Sequence, residues 1–127
     1  MHDHLDHLLR CIRDDPKDGE TPTRYEAAHE LEVCFDDISK RTDAEVMLAE
    51  IAAAVTHLFL AGDEFVQRAI ETGFLEHVCE QPKFRRFFAH WEADDRLRDA
   101  WQLSSAWGDA HPNFTKGLRQ ELDRESI

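Results

Sequence analysis

The stretch from Thr42 to Glu80 constrains the fold more than any other, because it reads as two long helices with almost nothing between them. Thr42-Asp43-Ala44-Glu45 has capping-box spacing: the Thr42 hydroxyl can accept from the Glu45 amide while the Glu45 carboxylate reaches back to the cap. Ala44, Met47, Leu48, Ile51, Val55, Leu58 and Phe59 then recur every three or four residues, which gathers them on one helical face. Gly62 suits a left-handed C-terminal stop, and Asp63 can cap the next helix at once. That helix carries Phe65, Val66, Ala69, Ile70, Phe74, Leu75 and Val78 and ends before Pro82. Gly73 inside it costs about 1 kcal/mol relative to alanine. Because the apolar side continues through Phe74, Leu75 and Val78, Gly73 is expected to admit a neighbouring helix rather than to break this one.

The flanking segments are helical as well. Leu5, Leu8, Leu9 and Ile12 make a short amphipathic N-terminal helix that stops in Asp14-Asp15-Pro16-Lys17-Asp18-Gly19. Thr21-Pro22 offers a cap and a first-turn proline for a helix reaching about Lys40, with Tyr25, Ala28, Leu31, Phe35 and Ile38 inward. Its outer faces carry Glu26, Glu30, Glu32, Asp36 and Asp37, the strongest negative surface in the chain. After Pro82 a short helix is expected to turn Phe84, Phe87, Phe88 and Trp91 to one side and Arg85 and Arg86 to water. Asp94 and Asp95 open a further helix with Leu97, Trp101 and Ser104 on one face. Leu118 and Leu122 support only a weak last turn. Strand-like alternation is absent, so the expected fold is one all-α domain over residues 1–127. It is a bundle of five or six helices centred on the antiparallel hairpin, with a frayed tail from about residue 118.

Charge narrows the classes of partner. With 27 acidic and 15 basic side chains the formal charge is −12, which argues against a nucleic-acid phosphate binder and favours a basic partner. Cys11, Cys34 and Cys79 are odd in number, form no CxxC pair and sit near apolar neighbours, as buried reduced thiols do. The start Met1-His2-Asp3-His4 lacks the pattern of a signal peptide, and no apolar run approaches the roughly 18 residues of a membrane span. A cytoplasmic protein without a membrane partner is the expectation.

Motifs for chemistry are sparse. Ser104 and Ser105 lack a nucleophile elbow, phosphate-binding glycine loops are missing, and Asp36-Asp37 and Asp94-Asp95 are helix neighbours pointing about 100° apart. A non-enzymatic role without a cofactor is therefore expected. The string His2-Asp3-His4-Leu5-Asp6-His7 resembles the opening of haemerythrin-like domains over about the first dozen residues. Glu26-Ala27-Ala28-His29 has the Glu-x-x-His spacing of ferritin-like di-iron helices, in a single copy. These matches give an alternative reading, a metal-binding bundle with His4, His7, Glu26 and His29 as its ligands. His4 and His7 could also hold an adventitious Zn²⁺.

The segment from Phe84 to Trp107 has two readings, a core or a partly exposed patch. In the second, Trp91, Trp101 or Trp107 with Arg85 or Arg86 anchors a protein partner, as Trp and Arg often do. Gly73-Phe74-Leu75-Glu76-His77, between an apolar helix and a polar helical C-terminal part, resembles a stretch of small acidic helical bacterial proteins of toxin–immunity loci. The resemblance implies an immunity or antitoxin role, in which the protein covers the working surface of a basic toxin. The expected partner-binding residues are Glu26, Glu30, Glu32, Asp36, Asp37, Trp91 and Trp107, with Glu71, Glu76 and Glu80 as additions. Neutralising Glu30, Glu32, Asp36 and Asp37 together is expected to slow association and leave the fold intact. A homo-oligomeric module whose aromatic patch meets another copy is the third reading.

Overall fold

Leu5, Leu8 and Ile12 fall on one side of the first helix, α1 (His2–Asp14), and all three are buried as their spacing predicts. A computed structural model of the protein describes residues 2–114. After α1 come α2 (Arg24–Ile38), α3 (Ala44–Ala61), α4 (Glu64–Ile70), a π-helical turn (Glu71–Leu75), α5 (Glu76–Cys79), a 3-10 helix (Pro82–Trp91) and α6 (Arg98–Ala110). Among the described residues there is no strand, so the protein is all-α. The tail from about residue 118, with Leu118 and Leu122, lies outside the described residues.

Helix starts follow local capping chemistry, though not always at the expected residue. The N-cap of α2 is Thr23, not Thr21: its Oγ1 accepts from the Glu26 amide and Glu26 Oε1 accepts from the Thr23 amide, both at 3.3 Å. The box expected at Thr42 does not form, because Asp43 is the N-cap of α3 and makes no side-chain cap bond. Asp63 caps α4 as expected, with Oδ1 accepting from the amides of Phe65 and Val66 at 3.0 Å each. Gly62 is extended (φ −86°, ψ 165°) rather than left-handed, which leads the chain directly into the extended Asp63 cap. Gln67 Nε2 donates across this junction to the Phe59 carbonyl at 3.1 Å, tying the two arms of the hairpin together.

Helix α2 is the interior element. Ala27, Ala28, Leu31, Glu32, Phe35, Asp36 and Ile38 are all buried, a band too broad for a helix packed on one neighbour. It packs against α1, α3, α4 and the π-turn. The π-turn comes close because of Gly73, where a Cβ would stand 2.8 Å from the Ala28 Cβ and 3.5 Å from the His29 amide nitrogen. The expected close approach at Gly73 is therefore present, but on a turn with one extra residue rather than a regular α-helix. Phe35 sits at the centre of the aromatic core, edge-on to Phe74, Phe84 and Phe87 at ring distances of 5.7, 5.1 and 5.9 Å.

Two residues assigned to inward stripes point outward: Tyr25 is 53% and Phe65 59% exposed. Helix α3, with 18 residues and mean hydropathy 1.6, is long and apolar enough to cross a membrane by length and composition. That corrects the expectation that no apolar run approaches the length of a membrane span. Leu48, Ile51, Ala52, Val55 and Phe59 of this helix are nonetheless buried in the protein's own core.

Candidate functional site

The face between α1 and α2 gathers five of the residues that the sequence singled out, His4, His7, Glu26, His29 and Glu30. With Leu5, Leu8 and Ile12 buried, the 3.6-residue period leaves His4 and His7 exposed together on the same side of α1. Arg24 fixes the turn: its Nε donates to the Ile12 carbonyl at 2.5 Å, its guanidinium to the Arg13 carbonyl at 2.9 Å, and its amide to Asp15 Oδ1 at 2.9 Å. The end of α1 is thereby pinned to the start of α2, and His4 comes to lie beside the middle of α2. A cleft of about 540 Å³ also opens between α3 and the 3-10 helix, lined by His57, Arg86 and His90 among others. The α1–α2 cleft, of about 620 Å³, is lined by His4, His7, Pro22, Glu26, His29 and Glu30.

All four residues of the alternative metal reading, His4, His7, Glu26 and His29, therefore line one cleft. The tightest grouping is nevertheless a different set: one ligand atom each of His4, Glu30 and Cys34 lie within 4.8 Å of one another. The sequence alone offers Glu30 as a surface charge and Cys34 as a buried thiol. Their i, i+4 spacing on one helix face was the signal available in the sequence. Cys34 is half-buried, and its thiol is pushed up from the ordinary value by that burial first, then by Glu30 and Asp37. His7 lies one turn further along α1, with a ring nitrogen 3.8 Å from Cys11 Sγ.

The acidic face of α2 is narrower than polarity suggested. Glu26, Glu30 and Asp37 are exposed. Glu32 and Asp36, expected beside them, are 2% and 5% exposed because α2 is covered on that side as well. Asp36 accepts from Gln81 Nε2 at 3.1 Å and lies 3.8 Å from Lys40 Nζ. Removing all four charges of Glu30, Glu32, Asp36 and Asp37 would therefore alter the interior, contrary to the expectation of an intact fold. Glu71 and Glu76 are half-buried, and burial raises both carboxyls above their ordinary values. Glu80, also named as a surface charge, is 1% exposed; its Oε2 accepts from His77 Nδ1 at 2.8 Å and from Trp107 Nε1 at 3.4 Å.

The aromatic–basic segment resolves as core. Phe84, Phe88, Trp91 and Trp101 are buried, and Trp91 Nε1 donates inward to Thr56 Oγ1 at 2.9 Å. Trp91 thus presents no surface to a partner. Trp107 is half-buried and stacked on His111 with ring centroids 3.8 Å apart. Arg85 is turned partly inward, donating twice to the Cys79 carbonyl at 3.1 and 2.6 Å and pairing with Asp109 at 3.0 Å. Arg86 pairs with Glu45 and lies over the Phe87 ring at 4.4 Å. Ser104 is buried, out of reach of a substrate.

No family model, curated protein or solved structure matches this chain. The α1–α2 face combines exposed carboxylates with imidazoles and one thiol, a set suited to attracting and holding cationic groups.

Proposed function

We propose that the protein is a non-enzymatic binding protein that covers a basic surface of another protein with the carboxylates of its α1–α2 face, as an immunity or antitoxin protein does. The observation that carries this reading is the stripe of exposed carboxylates Glu26, Glu30 and Asp37 on α2, in a chain of net charge −12. Asp3 and Asp6 on exposed positions of α1 add to the field. Such a field speeds encounter with a basic partner and repels acidic ones. The platform behind the stripe is well anchored: the opposite side of α2 is buried, and the Thr23–Glu26 box fixes its first turn. Three free thiols, two of them buried, accord with a reducing compartment such as the cytoplasm.

The test is kinetic. A basic partner recovered from the producing cells is expected to associate at least about tenfold more slowly with an E26Q/E30Q/D37N variant, and to lose most of its salt dependence. Gln at position 26 retains the capping-box geometry, so the fold is preserved. Recovered partners of acidic character, or association unaffected by the triple substitution, would remove this face from the function.

A further inference from the structure

Beyond the partner reading, we infer that the α1–α2 face holds a divalent transition-metal ion, zinc in the first place, between His4, Glu30 and Cys34. The three ligand atoms lie within 4.8 Å of one another. A tetrahedral zinc with bonds of about 2.0–2.3 Å sets its ligand atoms roughly 3.3–3.8 Å apart. Closing the difference takes about an ångström of side-chain movement. His4 and Glu30 are exposed, so their rotamers are free to supply it. Glu30 and Cys34 stand one turn apart on α2, and His4 reaches them from α1, so the ion would bridge two helices that the fold already packs together.

The donor set selects the metal. Thiolate with imidazole suits zinc and its neighbours, whereas magnesium and calcium call for oxygen ligands throughout. Three protein donors leave a fourth position. Water is the ligand expected there. Without an ion the same residues are an exposed His and Glu beside a half-buried thiol. The two cases differ in what Cys34 does when metal is added: in one its sulfur becomes a ligand, in the other it is a bystander.

Cobalt(II) titration of untagged protein separates them, because cobalt takes zinc sites and reports thiolate ligation by a near-ultraviolet charge-transfer band. The expected result is a band that saturates at one equivalent, is displaced by Zn²⁺, and is abolished in Cys34→Ser. His4→Gln and Glu30→Gln each weaken binding at least about tenfold, since even outer-shell changes cost that much. His57→Gln, on α3, leaves the titration unchanged. Absence of the band in excess cobalt would overturn the inference, as would a band that survives Cys34→Ser or is indifferent to both His4→Gln and Glu30→Gln. If Cys34→Ser lost helicity, the two variants at exposed positions would decide the matter by themselves.

Discussion

Gln81 Nε2 donates to Asp36 Oδ1 at 3.1 Å inside the protein, joining the last turn of α2 to the entrance of the 3-10 helix. A carboxylate held this way is part of the structure rather than of the surface. Asp36→Ala leaves the Gln81 amide without its partner and is expected to destabilise the fold by about 2 kcal/mol. Asp37→Ala, one residue on and exposed, is expected to stay within about 0.5 kcal/mol. Urea unfolding of the two variants checks the contrast, and equal effects would contradict the burial of Asp36.

Glu80 poses a sharper case. Its carboxylate accepts from both His77 and Trp107, so Glu80→Ala strips two donors of their acceptor and leaves a cavity. A loss of about 3 kcal/mol is expected, with a smaller loss for Glu80→Gln, which keeps the volume and one carbonyl oxygen. Thermal melts followed by tryptophan fluorescence would show both the destabilisation and the altered setting of Trp107.

Gly73 and Gly108 are both held by close approach, and they should differ. A Cβ at Gly73 meets the Ala28 methyl at 2.8 Å, and since that methyl has no rotamer to yield, the π-turn and α2 must part slightly, so Gly73→Ala is expected to cost about 1–2 kcal/mol. A Cβ at Gly108 runs into the backbone carbonyl of Cys79, where nothing flexible can yield. Gly108→Ala should cost about 3 kcal/mol or more, seen as a correspondingly lower midpoint in urea.

Thiol reactivity offers a pH-dependent prediction. Cys11 is 3% and Cys79 0% exposed, and burial pushes the Cys79 thiol up to about 11. In metal-free protein, half-buried Cys34 should therefore react first with a water-soluble disulfide reagent, and the other two only as the protein opens. Burial, with Glu30 and Asp37 on α2, raises the Cys34 thiol, while His4 faces it from α1. A raised value means little thiolate at neutral pH, so its rate should climb about tenfold per pH unit until that value is reached. A rate for Cys34 that is flat between neutral and mildly alkaline pH would contradict this environment.

Much of the fold was legible because apolar spacing survives folding. Leu5, Leu8 and Ile12, the stripe of α3, and the Asp63 cap all stand where periodicity and capping chemistry put them. What escaped was whatever depends on how many neighbours a helix has. Glu32 and Asp36 look like surface because they are charged, but α2 is packed on several sides and buries them. Trp91 could be core or patch from spacing alone, and its complete burial with an inward bond to Thr56 decides for the core. The π-turn at Glu71–Leu75 adds one residue to a helical repeat, which a pattern of threes and fours absorbs without trace. At the α1–α2 face the sequence found His4, His7, Glu26 and His29, which do share a cleft. It missed the pairing of His4 with Glu30 and Cys34, because only the antiparallel return of α2 brings a residue of the first turn of the protein beside them.

Docking of a basic protein on the α1–α2 face can be read out by site-specific cross-linking in the producing cells. A photo-reactive residue at position 37, on the acidic stripe, is compared with one at position 103 on α6, where Leu103 is 69% exposed. A discrete adduct with a basic protein is expected from position 37 and none from position 103. Adducts from position 103 alone, or a partner from position 37 that is acidic, would contradict it.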